Sequence, residues 1–336
     1  MSEAENAEDL RPQYPAHLVL PRIRVQNANA ISSPMTWGFP AMTAFLGLMT
    51  ALERRLGRNA GIAFRKVGVV CHGFDAQATS EGFTRAFHLT RNPVLADGST
   101  AAIVEEGRVH LELTLVFDVL LSNAHIDSAQ RELLVGTVAN MLAGMRLAGG
   151  SVMPALPQGR RWRTKPSLNL EPEGDEDERN QQFRKLMRQC LPGFALVSRD
   201  DLLRNRLAEL QTANPHATAL DAWLDLSRWN HHARTSTDAD GKTSCTWEKD
   251  ARPGWTVPIP VGYAALSDIY APGTVANARD PRTPFCFVET LWSMGQWISP
   301  HRLQTMEDLM WYASTEGETQ HSYRCCNDYA PETPVY

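Results

Sequence analysis

The sequence predicts an α+β protein, a ferredoxin-like or RRM-like domain with an inserted hairpin followed by an elaborated α+β C-terminal region. Three observations predict it. Strand and helix patterns run in the order β-α-β-(β)-β-α-β through residues 1–155. The hydrophobic fraction is 43%, enough for a substantial core. A Pro- and Gly-rich, charge-segregated stretch at 156–182 reads as a linker, and residues 183–336 form a mixed region with capped helices.

The elements follow in order. Leu18–Gln26 (LVLPRIRVQ) is β-rich, with Val19, Ile23 and Val25 expected on one face and Arg22, Arg24 and Gln26 on the other. After the polar loop Asn27–Gly38, Pro40 suits a first helical turn. Phe45, Leu48, Met49, Leu52 and Leu56 then recur at helical spacing, with Gly57 as the stop. Ile62–His72 and Gly82–Thr90 read as strands, and Asp97–Gly98 is a hairpin signal. Val109, Leu111, Leu113, Leu115 and Phe117 alternate with His110, Glu112 and Thr114, the pattern of a half-buried strand. A second helix starts near Asp127, and Met145–Val152 closes the set as a short, Gly-kinked strand.

Beyond the linker, Ser198 with Asp201 and Thr218 with Asp221 read as capping boxes, and Ser299–Pro300 opens a last helix through Leu303, Met306 and Met310. His231–Lys249 is polar and reads as a loop. The prolines of Trp255–Gly262 (WTVPIPVG) make it an edge strand or extended arm.

Composition narrows the function classes. Lys and Arg number 33 against 38 Asp and Glu, and the pI is 6.1, so bulk positive charge does not drive any nucleic-acid binding. The first ten residues are acidic and polar, unlike a secretory or transit signal. No apolar run reaches the roughly 20 residues that span a bilayer. The expectation is a cytoplasmic protein away from membranes. The six cysteines show no C-x-x-C spacing, so free thiols are expected, with no metal and no cofactor.

Gln26–Pro40 (QNANAISSPMTWGFP) is the most unusual segment. Gln26, Asn27, Asn29, Ser32 and Ser33 offer groups that bond phosphates, sugars and base edges, and Trp37 can stack on a base. Arg22 and Arg24 precede it, and Arg91, Asn92 and Arg146 end or occupy other predicted strands. If the sheet has an open face, Arg22, Arg24 and Arg146 would share that surface. By composition alone the segment also reads as a self-capped βα loop, with Asn and Ser satisfying their own backbone. Arg160, Arg161 and Arg163 around Trp162 form a weaker basic-aromatic patch. His72 and His110 could face one another as an acid–base pair, although such residues are more often hydrogen-bonded sheet histidines. No G-x-S-x-G, Walker, GxGxxG or HExxH pattern is present.

Seven strings, in order, carry a resemblance: QNANAISSPMTWGFP, LTRNP (Leu89–Pro93), DGSTAAIVEEGRVHLEL (Asp97–Leu113), MRLAGGS (Met145–Ser151), LPGFALVSR (Leu191–Arg199), PGWTVPIPVGYAALS (Pro253–Ser267) and SPHRL (Ser299–Leu303). Together they resemble the second-subunit family of the type I-F CRISPR Csy complex, a Cas-five-type family. The resemblance implies a non-catalytic RNA-binding subunit of an antiviral ribonucleoprotein. It would hold the five-prime handle of the guide RNA in a heterodimer with the large subunit, next to a backbone subunit, meeting target DNA only through the assembled complex. The other reading is a metal-independent endoribonuclease processing CRISPR repeat RNA, with His72 and His110 available.

Overall fold

The computed structural model describes residues 13–331 apart from 83, 92–93, 96, 101–102, 155–164, 173, 175, 238–242, 253 and 315–321. The expected Arg160–Arg163 patch lies outside the described residues. The first region contains β1 (Tyr14–Asn29), α1 (Met42–Leu56) and β2 (Ile62–Ala76). Four short strands follow, β3 (Ala78–Glu81), β4 (Thr84–Phe87), β5 (Leu89–Arg91) and β6 (Ile103–Glu105). Then come β7 (Arg108–Leu121), α2 (Ser128–Ala143), β8 (Arg146–Leu147) and β9 (Gly150–Val152).

The central strands lie in the order β2-β7-β1-β9-β8, every neighbouring pair antiparallel. Helices α1 and α2 pack on one face of this sheet. Phe45, Leu52, Val138 and Leu142 meet Leu18, Val69, Leu113 and Phe117 there in one core. α2 begins as expected, with Asp127 and Gln130 forming a capping box. The insertion is larger than one hairpin: β3 pairs with β4, and β5 with β6, as two separate ladders. β8 and β9 are a tight hairpin rather than one kinked strand. Ala148 (φ 49°) and Gly149 (φ 76°) make its two-residue turn, which needs positive φ at both positions.

The expected face assignment in β1 fails after Leu20. Bulges between Leu20 and Ile23 and between Val25 and Ala28 each insert one residue against β7. Each insertion reverses the alternation. Leu18, Leu20, Val25 and Ala28 therefore all reach the helix-covered core, while Val19 points the other way into a second core. Arg22 (φ 54°) and Asn27 (φ 57°) are the strained bulge residues.

The second region joins the same sheet. It contains β10 (Ser167–Leu170), α3 (Glu176–Gln189), β11 (Phe194–Ser198), α4 (Asp200–Ala213), α5 (Ala219–Ser227), β12 (His231–Thr237), β13 (Thr243–Lys249), β14 (Trp255–Ala265), β15 (Val288–Ile298), α6 (Met306–Leu309), β16 (Met310–Ser314) and β17 (Ser322–Asn327). β2 has β7 on one edge. Its other edge meets β16 at Val67–Gly68 and β11 at Val70–Cys71. The pairings β2-β16-β17-β14-β15-β11-β2 thus close a ring of six strands. Trp311 on β16, wholly buried, donates its Nε1–H to the Leu196 carbonyl on β11 across 2.8 Å.

Several elements differ from expectation for local reasons. Within the expected linker, β10 pairs with β1, and α3 begins at Glu176. Ser198 is a strand residue, and α4 starts without a side-chain cap, whereas the Thr218–Asp221 box at α5 is present. The last helix is one turn, because Met310 already belongs to a strand. His231–Lys249 is a hairpin, β12 with β13, exposed along both strands.

α3 covers part of the other face of the sheet. Phe183, Leu186 and Met187 pack on Val19, Val70 and Val116, the sheet face opposite α1 and α2. Among the described residues, that face is therefore covered by α3 over part of its length and exposed toward the C-terminal end of β1.

Candidate nucleic-acid interface

The open part of the sheet is a polar strip. Arg146 on β8 stands opposite Ser151 on β9, and Ser151 stands opposite Gln26 on β1; all three are exposed. Asn27 continues the strip, and its N–H donates to His110 Nδ1 across 3.0 Å. On β2, Asp75 lies opposite His110 in the ladder. The strip exists because the second bulge in β1 turns Gln26 and Asn27 outward while returning Ala28 to the core.

The arginines behave differently from one another. Arg22 is pinned at the first bulge: its N–H points to Thr114 Oγ1 at 3.4 Å, and its guanidinium pairs with Glu112 at 3.0 Å. With its side chain 14% exposed, Arg22 is a scaffold group more than a free surface cation. Arg24 donates to the Pro154 carbonyl at 3.1 Å. Arg146 is exposed and donates to the Gly149 carbonyl at 3.4 Å. Arg91 belongs to β5, opposite Ile103. Asn92 falls outside the described residues.

Much of Gln26–Pro40 is occupied with its own backbone. Asn29 accepts from Ile31 N–H and donates to the Ile31 carbonyl. Ser32 accepts from Ala41 N–H, where α1 begins. Ser33, buried, bonds Thr36 at 2.6 Å and accepts the indole N–H of Trp292 at 3.0 Å. These groups shape the loop and dock it on β15. Trp37 stays about half exposed, packed against Phe74 and Phe87.

Around Trp37 the structure assembles a cleft of about 520 Å3. Its rings come from distant segments: Trp37 and Phe39 from the loop, Phe74 from β2, Phe194 from β11, Trp255 from β14 and Trp297 from β15. Trp37, Phe74, Phe194 and Trp255 stay 46%, 42%, 43% and 56% exposed. Near-perpendicular contacts brace them, Trp37 with Phe74 at 89° and Phe194 with Trp255 at 75°. Such edge contacts fix a ring without covering both its faces. The sequence signalled Trp37 only; Phe74, Phe194 and Trp255 carry no local pattern that would group them. Three of the strings that carry the family resemblance, around Trp37, Phe194 and Trp255, converge here.

Two titratable groups on β2 line the cleft. His72 has both ring nitrogens engaged, Nδ1 with the Pro192 carbonyl and Nε2 with Thr114 Oγ1, each at 2.7 Å. A carbonyl only accepts, so Nδ1 carries the proton and Nε2 accepts from threonine. Burial holds the His72 pKa below the usual imidazole value. Burial also pushes the Cys71 thiol up to about 12, which removes its thiolate at neutral pH. Among the described residues, no group of three or more His, Cys, Asp or Glu is placed to hold a metal ion. Among the same residues no helix is long and apolar enough to cross a membrane.

Fold and site together define an α+β protein built on a large antiparallel sheet, with a polar strip and a braced aromatic cleft open to solvent. Comparison with known proteins is specific. The family described as CRISPR-associated protein (Cas_Csy2) matches residues 18–325. The chain is 47% identical, over 305 residues, to the CRISPR-associated protein Csy2 of Pseudomonas aeruginosa (strain UCBPP-PA14), covering 90% of this chain and 92% of that relative. The chain belongs to the Csy2 family, subunits of the type I-F CRISPR Csy complex.

Proposed function

We propose that the chain is a non-catalytic RNA-holding subunit that grips the five-prime handle of the guide RNA in the cytoplasm. It would do so with the large subunit as heterodimer partner and a backbone subunit alongside, touching target DNA only through the assembled complex. The split β-α-β order of β1, β2, β7 and β9, with both helices on one face, supports a ferredoxin-like, RRM-like reading of the first region.

The observation that carries the RNA reading is the strip Arg146-Ser151-Gln26-Asn27. It is a run of exposed donors and acceptors on the part of the sheet face that α3 leaves bare. Such groups contact phosphates, ribose and base edges. A grip of this kind is local, which suits a chain of net charge −5. The endoribonuclease reading is not favoured, since both nitrogens of His72 are tied to Pro192 and Thr114 and His110 Nδ1 is tied to Asn27. A general base needs a free nitrogen within reach of the ribose hydroxyl.

Co-expression with the complex partners and a repeat-derived guide tests the proposal. Substituting Gln26 and Arg146 together by Ala is expected to lower the guide RNA retained after a high-salt wash. Retention equal to wild type at every salt concentration removes the strip from the RNA-holding role. Metal-independent cleavage of repeat RNA by the purified chain, abolished by His110→Ala, would restore the nuclease reading.

A further inference from the structure

Resting on the RNA-holding reading, we infer that the aromatic cleft at Trp37, Phe74, Phe194 and Trp255 takes a single unstacked base of the guide RNA. Four observations lead there. The cleft is walled by aromatic rings that brace one another, Trp37 edge-on to Phe74 and tilted at 39° to Phe87, Trp255 edge-on to Phe194 and tilted at 48° to Trp297, and that still leave ring surface for stacking. No Asp, Glu, Lys or Arg is among the described residues lining it. The lining therefore suits a neutral ring system and places no carboxylate against the phosphate that follows it. The rings remain about half exposed, apolar surface that a bound base would cover.

The fourth observation separates a base from a peptide strand. Residues 257–260 of β14 line the cleft, with β15 on one side; among the described residues β17 pairs on the other side from Gly262 to Ala264, beyond this stretch. This edge carries Pro258 and Pro260, which have no N–H to donate. A peptide strand adds to a sheet through backbone hydrogen bonds, and these prolines withhold the donors it requires. A stacked base needs none of them.

The test uses the assembled ribonucleoprotein. Guides are prepared with 4-thiouracil or 6-thioguanine at one position at a time through the repeat-derived five-prime segment, irradiated, and the adducts mapped by mass spectrometry. The expected result is one guide position that crosslinks to the peptides containing Trp37 or Trp255. Trp37→Ala and Trp255→Ala should abolish that adduct and accelerate guide release on the order of 5- to 150-fold, the range for losing one base–aromatic stack. Trp37→Phe and Trp255→Phe, which keep an aromatic face, should restore both.

Crosslinks confined to the polar strip, with guide release unchanged in the Ala variants, overturn the cleft inference and leave the RNA-holding reading standing. A photoreactive amino acid at position 255 that captures a polypeptide in place of RNA also overturns it. No adduct anywhere on this chain, with retention unaffected by strip or cleft variants, removes the broader reading and the inference with it.

Discussion

The ring of His110 on β7 accepts the backbone N–H of Asn27 on β1 across 3.0 Å. Four residues along β7, Thr114 stands at 3.4 Å from the N–H of Arg22. Both bulges of β1 are thus served by β7 side chains on the same face. Bulged residues leave the regular ladder, and their amides need another partner. His110 is in this sense a structural histidine of the kind that polar-face residues on a strand commonly supply.

His110→Ala should therefore loosen the second bulge. Losing this hydrogen bond costs about 0.5–1.5 kcal/mol. Amide exchange at Asn27 should quicken markedly while amides in the centre of β7 keep their protection. Unaltered exchange at Asn27 would show that the bulge does not depend on the imidazole.

Gly150 tests the same bulge from the opposite side. A Cβ there would lie 2.7 Å from both Ala28 N and Gln26 O, backbone atoms that cannot swing away. Gly150→Ala should force β9 off β1, with a destabilisation of about 1–3 kcal/mol, the range for overpacking. Urea unfolding is the check, and wild-type stability of this variant would refute the close approach.

Acid should destabilise the chain through two half-buried imidazoles. His17 and His72 both have pKa values lowered by burial from the usual 6.5. For His17 this outweighs nearby Asp118 and Glu171, and for His72 it outweighs the bond to Pro192 and the charge of Glu112. A lowered folded pKa means that the unfolded chain binds more protons below 6.5. The stability is therefore complete above that pH and is lost as pH falls through 6.5 toward the folded values. The melting temperature should drop between pH 7 and pH 5, and His72→Gln should flatten part of the slope. A melting temperature that rises on acidification would contradict the sign.

Trp311 ties β16 to β11 across the ring of strands. Trp311→Phe leaves the buried Leu196 carbonyl without its 2.8 Å donor and leaves a gap where the indole was. The two effects together should cost about 2–4 kcal/mol. The urea midpoint should fall with little change in slope.

How much of this was legible depended on whether a residue's environment was set locally. α1 was readable because one face is buried and the apolar spacing follows, and α2 through its start at Asp127. β7 showed its alternation near Val109 and Leu111, but from Leu113 to Val119 it is buried on both faces and not half-buried as expected. In β1 the bulges at Arg22 and Asn27 break the period of two, and no sequence pattern marks them. α3 was hidden in an acidic run, its buried stripe being only Phe183, Leu186 and Met187. β12 and β13 are exposed on both faces, so neither shows alternation. The candidate site divided in the same way. The loop's polar groups were visible, but Asn29, Ser32 and Ser33 proved to bond within the protein. The cleft needed Phe74, Phe194 and Trp255 brought together over long separations in the chain.

That division sharpens the experiment on the loop itself. Asn29 holds the turn at Ile31 and Trp37 faces the cleft, so the two substitutions should fail differently. Asn29→Ala removes two hydrogen bonds that shape the loop and should lower thermal stability modestly. Trp37→Ala removes an exposed ring and should leave folding nearly unchanged while weakening guide retention. Because stacking is not an ionic contact, the Trp37→Ala loss should appear at low and high salt alike, whereas losing Arg146 should act mainly through the salt dependence. The double variant Asn29→Ala, Trp37→Ala should combine lower stability with poorer assembly on guide RNA. Normal assembly of the double variant, with wild-type salt sensitivity, would remove the loop from the RNA-holding surface and leave Trp37 as a brace for Phe74.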